Sequence, residues 1–283
     1  MKVNLKKSSL INEIPSGSGM EYINGELFVC GDDASFLYKL ALDGSILNKI
    51  KVFDWKDESR IPKALKPDFE AMAVDGDDVL LFGSGSLTQR NLLVKINSKS
   101  EIVKEYSLEK FYAGIKNKSG LTDDDFNLEG ATVFNHQLLL LNRGDNSIFT
   151  ISLNEFYACV EKGKELSNVT ISKYFLPIID GCNASFSGAC VTDDYLFFCA
   201  SVEKTSDWIN DGEILGSFIG LIHLCGNINE ISECEQVFYE GKPYLGKIEG
   251  LCAIGKKGNT IEMKAICDND DGRSTFLEIE IVI

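Results

Sequence analysis

Four acidic residues head apolar, strand-like runs: Glu21 in GSGMEYI, Glu70 in PDFEAMAV, Glu129 in DFNLEGATV and Glu249 in GKIEGLCA. ASFSGACV places Ser187 at the same point. Carboxylates held a few ångströms apart raise one another's pKa values or recruit a cation. A hard divalent ion with all-oxygen ligands is the simplest remedy, and calcium suits it because it accepts about 6–8 oxygens in flexible geometry. The competing reading is that each glutamate bonds backbone N–H groups or an arginine of a neighbouring unit and fixes its registration. Further polar clusters end the runs that follow: Asp32-Asp33, Ser84-Ser86, Asn142-Arg143-Asp145, Ser201-Glu203 and Asp268-Asn269-Asp270-Asp271. Arg90, Arg143 and Arg273 lie near three of these turns.

Other chemistries lack their residues. The chain has two histidines, His136 in an expected turn and His223 in the apolar run GLIHL, and neither falls in a polar cluster. A histidine-based zinc site or a Ser-His-Asp triad is not expected, nor does any CxxC spacing suggest zinc. GSGSL at 83–87 has neither the nucleophile-elbow pattern nor the terminal Lys-Ser/Thr of a phosphate loop, so no nucleotide cofactor is expected. Trp208, in the insertion EKTSDWINDGE, is read as a surface-packed loop residue, with capping of a mouth as the alternative.

The anchors Glu21, Glu70, Glu129, Ser187 and Glu249 are separated by 49, 59, 58 and 62 residues. That interval is one propeller blade with loop insertions. Each anchor begins a short apolar strand, followed by a turn, a very apolar strand, a polar cluster, an alternating strand and a last strand. In the second unit these are FEAMAV, VLLFGSGS, NLLVKIN and EIVKEYSL. Asn24-Gly25, Asp43-Gly44, Asp75-Gly76 and Lys257-Gly258 punctuate the runs as hairpin turns do. The fifth unit supplies three strands, and KVNLKKSSLI near the start has no unit of its own. It therefore completes the last blade and closes the ring, which removes exposed sheet edges.

The fold expected is an all-β, five-bladed propeller of four-stranded antiparallel blades. It forms a single domain over 1–283, with blades at about 14–53, 66–108, 125–176, 183–240 and 244–283 plus 1–11. The alternatives are a six-bladed ring with one degenerate blade and a β-sandwich. LNEFYACVEKGKEL reads as a helical excursion in the third blade, and EKFYAGIKNKSG and EKTSDWINDGEI as loop insertions. Strands alternate in direction, so the start of each innermost strand and the end of each second strand share one face of the ring. The glutamates and the polar clusters then line one channel mouth.

Composition narrows the partners. A formal net charge of −15 repels nucleic-acid phosphates and favours cations or basic partners. No apolar run approaches the ~18 residues of a membrane span, and the first residues lack an export-signal core. Nine cysteines cannot all pair within the chain. Cys30, Cys199 and Cys267 are read as one equivalent strand position and Cys190 and Cys252 as another, matched elsewhere by Ala73 and Thr132. These are small-residue core sites, so free thiols and a cytoplasmic location are expected; a monomer is expected as well.

The combination SGMEY…LFVCGDDASFLYKL, DFEAMAV…LLFGSGS…R, LEGATV…LLLLNRGDN and IEGLCA…DNDDG resembles the phytase-like and esterase-like propellers of bacteria over nearly the whole chain. It is most similar to an uncharacterised family within that group. The resemblance implies that Glu21, Glu70, Glu129 and Glu249 line a channel or hold calcium. Strand direction, not the resemblance, makes Asp32, Asp33, Ser84, Arg90, Asn142, Arg143, Ser187, Glu203, Asp268, Asp270 and Arg273 the expected polar and ligand-binding residues of the mouth. Two functions follow as expectations. One is a propeller that binds a small molecule or a protein at its mouth, with a structural divalent cation as an option. The other is a calcium-assisted hydrolase of phosphoesters or lactones, with Arg143 or Arg273 holding an anionic substrate.

Overall fold

Two-residue turns fold each unit into hairpins. At Asn24-Gly25 both residues have positive φ (53° and 94°), as do Asn135 and His136 (47° and 60°). This type I′ geometry matches the twist of the strands it joins. The computed structural model describes residues 1–56, 60–204, 212–225 and 230–283, and Trp208 with most of its insertion lies outside the described residues.

Strand β1 (Lys2–Ile11) is followed by a first sheet of β2 (Gly17–Ile23), β3 (Glu26–Gly31), β4 (Phe36–Leu40) and β5 (Ile46–Lys51). The second holds β6 (Phe69–Asp75), β7 (Asp78–Gly83), β8 (Leu92–Asn97) and β9 (Val103–Ser107). The third holds β10 (Leu128–Phe134), β11 (Gln137–Asn142), β12 (Ser147–Ser152) and β13 (Thr170–Lys173). A two-stranded ribbon, β14 (Ile178–Ile179) with β15 (Cys182–Asn183), leads to β16 (Ser185–Thr192), β17 (Tyr195–Lys204), β18 (Glu213–His223) and β19 (Glu233–Gln236). A second ribbon, β20 (Phe238–Tyr239) with β21 (Lys242–Pro243), leads to β22 (Lys247–Lys257), β23 (Thr260–Asp268) and β24 (Ser274–Val282). In that last sheet β1 is the fourth strand, antiparallel to β24 from Lys2↔Val282 to Ile11↔Ser274. The protein is a five-bladed β-propeller closed by strands from both ends of the chain.

The inner strands β2, β6, β10, β16 and β22 touch in that order, and β22 meets β2. Each carries a bulge at its head: the ladder skips Ser18, Glu70, Glu129, Ser187 and Glu249. A bulge leaves its extra residue unpaired and re-aims the side chain. The next residue is Gly19, Ala71, Gly130, Gly188 or Gly250, because neighbouring backbones come very close here. A Cβ on Gly188 would sit 2.2 Å from the Glu249 carbonyl oxygen, and one on Gly250 would sit 2.5 Å from the Met20 nitrogen.

The register corrects two readings of the sequence. Glu21 pairs with Phe28, three residues beyond the bulge, so the first-blade anchor is Ser18 and Glu21 shares its level with Ala73, Thr132, Cys190 and Cys252. Cys30 and Cys199 lie opposite Gly19 and Gly188, but Cys267 lies opposite Ile248, one position further along its strand. Cys30, Cys190, Cys199, Cys252 and Cys267 are all buried, and no cysteine is paired in a disulfide.

EKFYAGIKNKS is a helix, α1 (Glu109–Ser119), and not an irregular loop. Gly114 lowers its intrinsic propensity by about 1 kcal/mol, which hides it in the sequence. Tertiary packing decides instead: Phe111, Tyr112 and Ile115 are buried, and a Cβ on Gly114 would lie 2.8 Å from Leu166. The second helix, α2 (Leu153–Lys162), forms where the sequence predicts it. Ser152 caps it by accepting from the Glu155 N–H at 3.2 Å, and Gly163 ends it at φ 66°. Phe111 of α1 meets Phe156 of α2 edge-on at 5.2 Å, so the two helices share one core with the second and third blades.

Candidate functional site at the channel mouth

The bulges place Ser18, Glu70, Glu129 and Glu249 around a cavity of about 10 Å³ on the ring axis, lined also by the small residues that follow them. That volume holds about one water. The serine anchors reach across to the next blade: Ser18 Oγ donates to the Phe69 carbonyl, and Ser187 Oγ to the Ile248 carbonyl at 2.6 Å. Phe69 and Ile248 each precede the next anchor, so the two hydroxyls make equivalent blade-to-blade links. The glutamates instead enter two charge networks.

The first network centres on Lys66. Its ammonium binds Asp32 and lies 2.7 Å from Asp68 Oδ1, while Arg90 Nη1 lies 2.7 Å from Asp68 Oδ2 and donates to Ser86 Oγ at 2.8 Å. Ser84 Oγ donates to Asp68 at 2.5 Å. Asp32, Asp68 and Glu70 bring three carboxylate oxygens within 4.8 Å of one another, a grouping that could hold a metal ion. Burial, with like charge from Asp68, Asp32 and Glu249, pushes the Glu70 carboxyl well above the usual range. Burial raises Asp32 to about 6 against the pull of Lys66. Arg60 pairs with Asp33 at 2.5 Å and donates to Ser16 Oγ at 3.1 Å. The Oδ1 atoms of Asp32 and Asp33 are both buried without a hydrogen-bond partner.

The second network joins the third, fourth and fifth blades. Arg143 Nη1 donates to both Glu129 oxygens, at 2.8 and 3.1 Å, and its Nη2 lies 2.7 Å from Glu203. Asn127 Nδ2 donates to Glu129 Oε1 at 2.8 Å. Lys247 lies 2.6 Å from Glu249 and 3.5 Å from Glu203. Burial raises the Glu203 carboxyl, yet Lys247 and Arg143 outweigh it and hold the group below its ordinary value. Burial likewise opposes the Lys247 charge, and Glu249 beside it keeps the ammonium well above its ordinary range. Between the networks stands Asp268, raised to about 7 by burial and by the charge of Asp32.

The sequence-predicted residues therefore separate. Asp32, Asp33, Ser84, Arg90, Arg143, Glu203 and Asp268 join the anchors in these networks. Asn142 is buried as a brace, accepting from the Asn127 N–H and donating to the Asp125 carbonyl and to Asp145, each at 2.8 Å. Asp270 lies on the exposed β23–β24 turn, where its N–H donates to Asp268 at 2.9 Å. Arg273 is exposed and pairs with Asp271. Glu21 sits deeper, its carboxyl raised to about 8 by burial, with its charge felt at Cys190 and Cys252. Lys66, Asp68 and Lys247 are partners the sequence reading did not single out. For Asp68 and Lys247 the signal is a polar residue two positions before each anchor (Ser16, Asp68, Asn127, Ser185 and Lys247); Lys66, four before Glu70, has no such repeat.

Among solved structures, the chain is similar to glutaminyl cyclase of Myxococcus xanthus, with a TM-score of 0.58 and 9% identity, covering 99% of this chain and 97% of that one. It is also similar to virginiamycin B lyase of Staphylococcus aureus, with a TM-score of 0.43 and 12% identity, covering 99% and 100%. At 9% identity the likeness to the glutaminyl cyclase is one of fold. No curated protein matches the sequence. A protein-family model matches residues 13–281, and by that match the chain belongs to the Family of unknown function (DUF6929).

Proposed function

We propose that the protein is a binding propeller whose mouth takes a small cationic group: an ammonium, a guanidinium or a divalent cation. One observation carries this reading. Eight carboxylates (Asp32, Asp33, Asp68, Glu70, Glu129, Glu203, Glu249 and Asp268) face five cations (Arg60, Lys66, Arg90, Arg143 and Lys247), a formal excess of three acids. Four of those carboxyls, Asp32, Glu70, Glu249 and Asp268, are raised, in each case first by burial, and hold their protons to higher pH than an exposed carboxyl does. A bound cation replaces those protons, so binding strengthens as pH rises through about 6 to 7 and releases protons. Titration calorimetry with methylammonium, guanidinium and calcium chloride, in buffers of different ionisation enthalpy, tests this. Proton release that disappears in Asp32→Asn and Asp268→Asn supports it; no heat from any of the three cations at pH 8 refutes it.

The Asp32–Asp68–Glu70 grouping favours a second reading, calcium-assisted hydrolysis of phosphoesters or lactones. Lys66 already stands among these carboxylates, so an ion would have to displace its ammonium. Calcium-dependent turnover of a phosphoester or a lactone, lost in Asp68→Asn, would be its evidence. Metal analysis of the purified protein separates a resident ion from an absent one.

A further inference from the structure

The connections that lead into the inner strands, and those from the second to the third strand of each blade, lie on the mouth face. Among the described residues, six large apolar side chains are exposed there. Leu65 (55% exposed) precedes Lys66, Leu87 (48%) follows Ser86, and Leu245 (58%) lies two residues before Lys247. Phe175 (92%) and Ile178 (63%) stand on the β13–β16 connection and Phe238 (47%) on the β19–β22 connection. Single exposed apolar residues need no explanation, but a group on one face around a recess marks an interaction surface. Apolar side chains that a partner would bury serve as anchors, and a desolvated cation between them serves as a second kind of anchor.

Charge selects the occupant. The cavity is lined by Glu70, Glu129 and Glu249, the adjoining networks leave the Oδ1 atoms of Asp32 and Asp33 buried without a hydrogen-bond partner, and the whole chain carries −15. Nucleic acid and anionic lipid headgroups are repelled, and a second copy docked face to face would oppose two acidic recesses. We propose that the mouth face docks a polypeptide segment carrying one Lys or Arg between bulky apolar side chains. Its cationic head enters the carboxylate recess while its apolar neighbours rest on Leu65, Leu87, Phe175 and Leu245. This rests on the cation-binding reading of the mouth and adds the rim and the partner class to it.

The test is fluorescence anisotropy with a labelled heptapeptide, Gly-Leu-Phe-Lys-Leu-Phe-Gly with blocked ends, beside versions with norleucine or Glu at the centre. The Lys peptide should bind at least about tenfold more tightly than either control. Phe175→Ser combined with Leu245→Ser should weaken it about tenfold, leaving the melting temperature and methylammonium binding unchanged. Equal binding of the norleucine peptide, or no effect of the rim substitutions, overturns the proposal while methylammonium binding keeps the mouth reading intact. Loss of methylammonium binding itself means that the mouth reading has failed, and the proposal with it. Sedimentation of the protein with phosphatidylcholine vesicles, prevented by the same rim substitutions, would assign the rim to a membrane and overturn the peptide.

Discussion

The two kinds of anchor solve different problems at the level of single residues. A serine hydroxyl is short and neutral, so Ser18 and Ser187 can reach the next backbone and hold two blades in register. A buried glutamate needs a cation, and Glu129 has one in the fork of Arg143. Glu129→Gln leaves Arg143 with Glu203 as its remaining partner and weakens two charged hydrogen bonds, so urea-unfolding stability should fall by about 1–3 kcal/mol, and adding Arg143→Met should cost far less than the sum. Glu21 carries a different signature. Its folded pKa of about 8 exceeds the ordinary 4.5, so the folded state binds the extra proton between those values and stability falls as pH rises through them. Glu21→Gln should melt several degrees above the wild type at pH 8 and level with it at pH 4.5. Equal melting at both values would show that Glu21 has a cation partner.

The repeat was legible at the level of strands because each contributes an uninterrupted apolar run between turn residues, as in β7 and β11. Charge alone does not align the first unit with the others. Ser18-Gly19 matches Ser187-Gly188 once the small residue after the bulge is weighed with the anchor, since the close backbone approach demands that residue and tolerates either anchor. The charged partners were harder to read. Lys66 and Lys247 look like ordinary surface lysines in sequence, and only the packing of neighbouring blades brings them to carboxylates on other strands. Substituting the small residue tests the argument: Gly188→Ala places a methyl group against the Glu249 carbonyl and should destabilise the fold by about 2 kcal/mol or more, read by thermal melting. Gly255→Ala meets nothing within 4 Å and should be nearly neutral.

Ring closure governs the whole molecule's stability through β1, which buries Leu5 and Ile11 and covers the edge of β24. Deleting residues 1–11 should lower the melting temperature by about 10 °C or more and promote aggregation through the uncovered edge. An unchanged melting curve would remove β1 from the account of stability. The pairing of Lys2 with Val282 also orders events in time. During synthesis the first strand has no partner until the last is made, so four blades can assemble while the fifth waits, and its closure is the least local step of folding. Joining the two ends by a short linker and reopening the chain between residues 12 and 16 would make β1 the direct continuation of β24. The last blade would then be a local meander, and such a permuted chain should refold faster than the natural order while keeping the same ring.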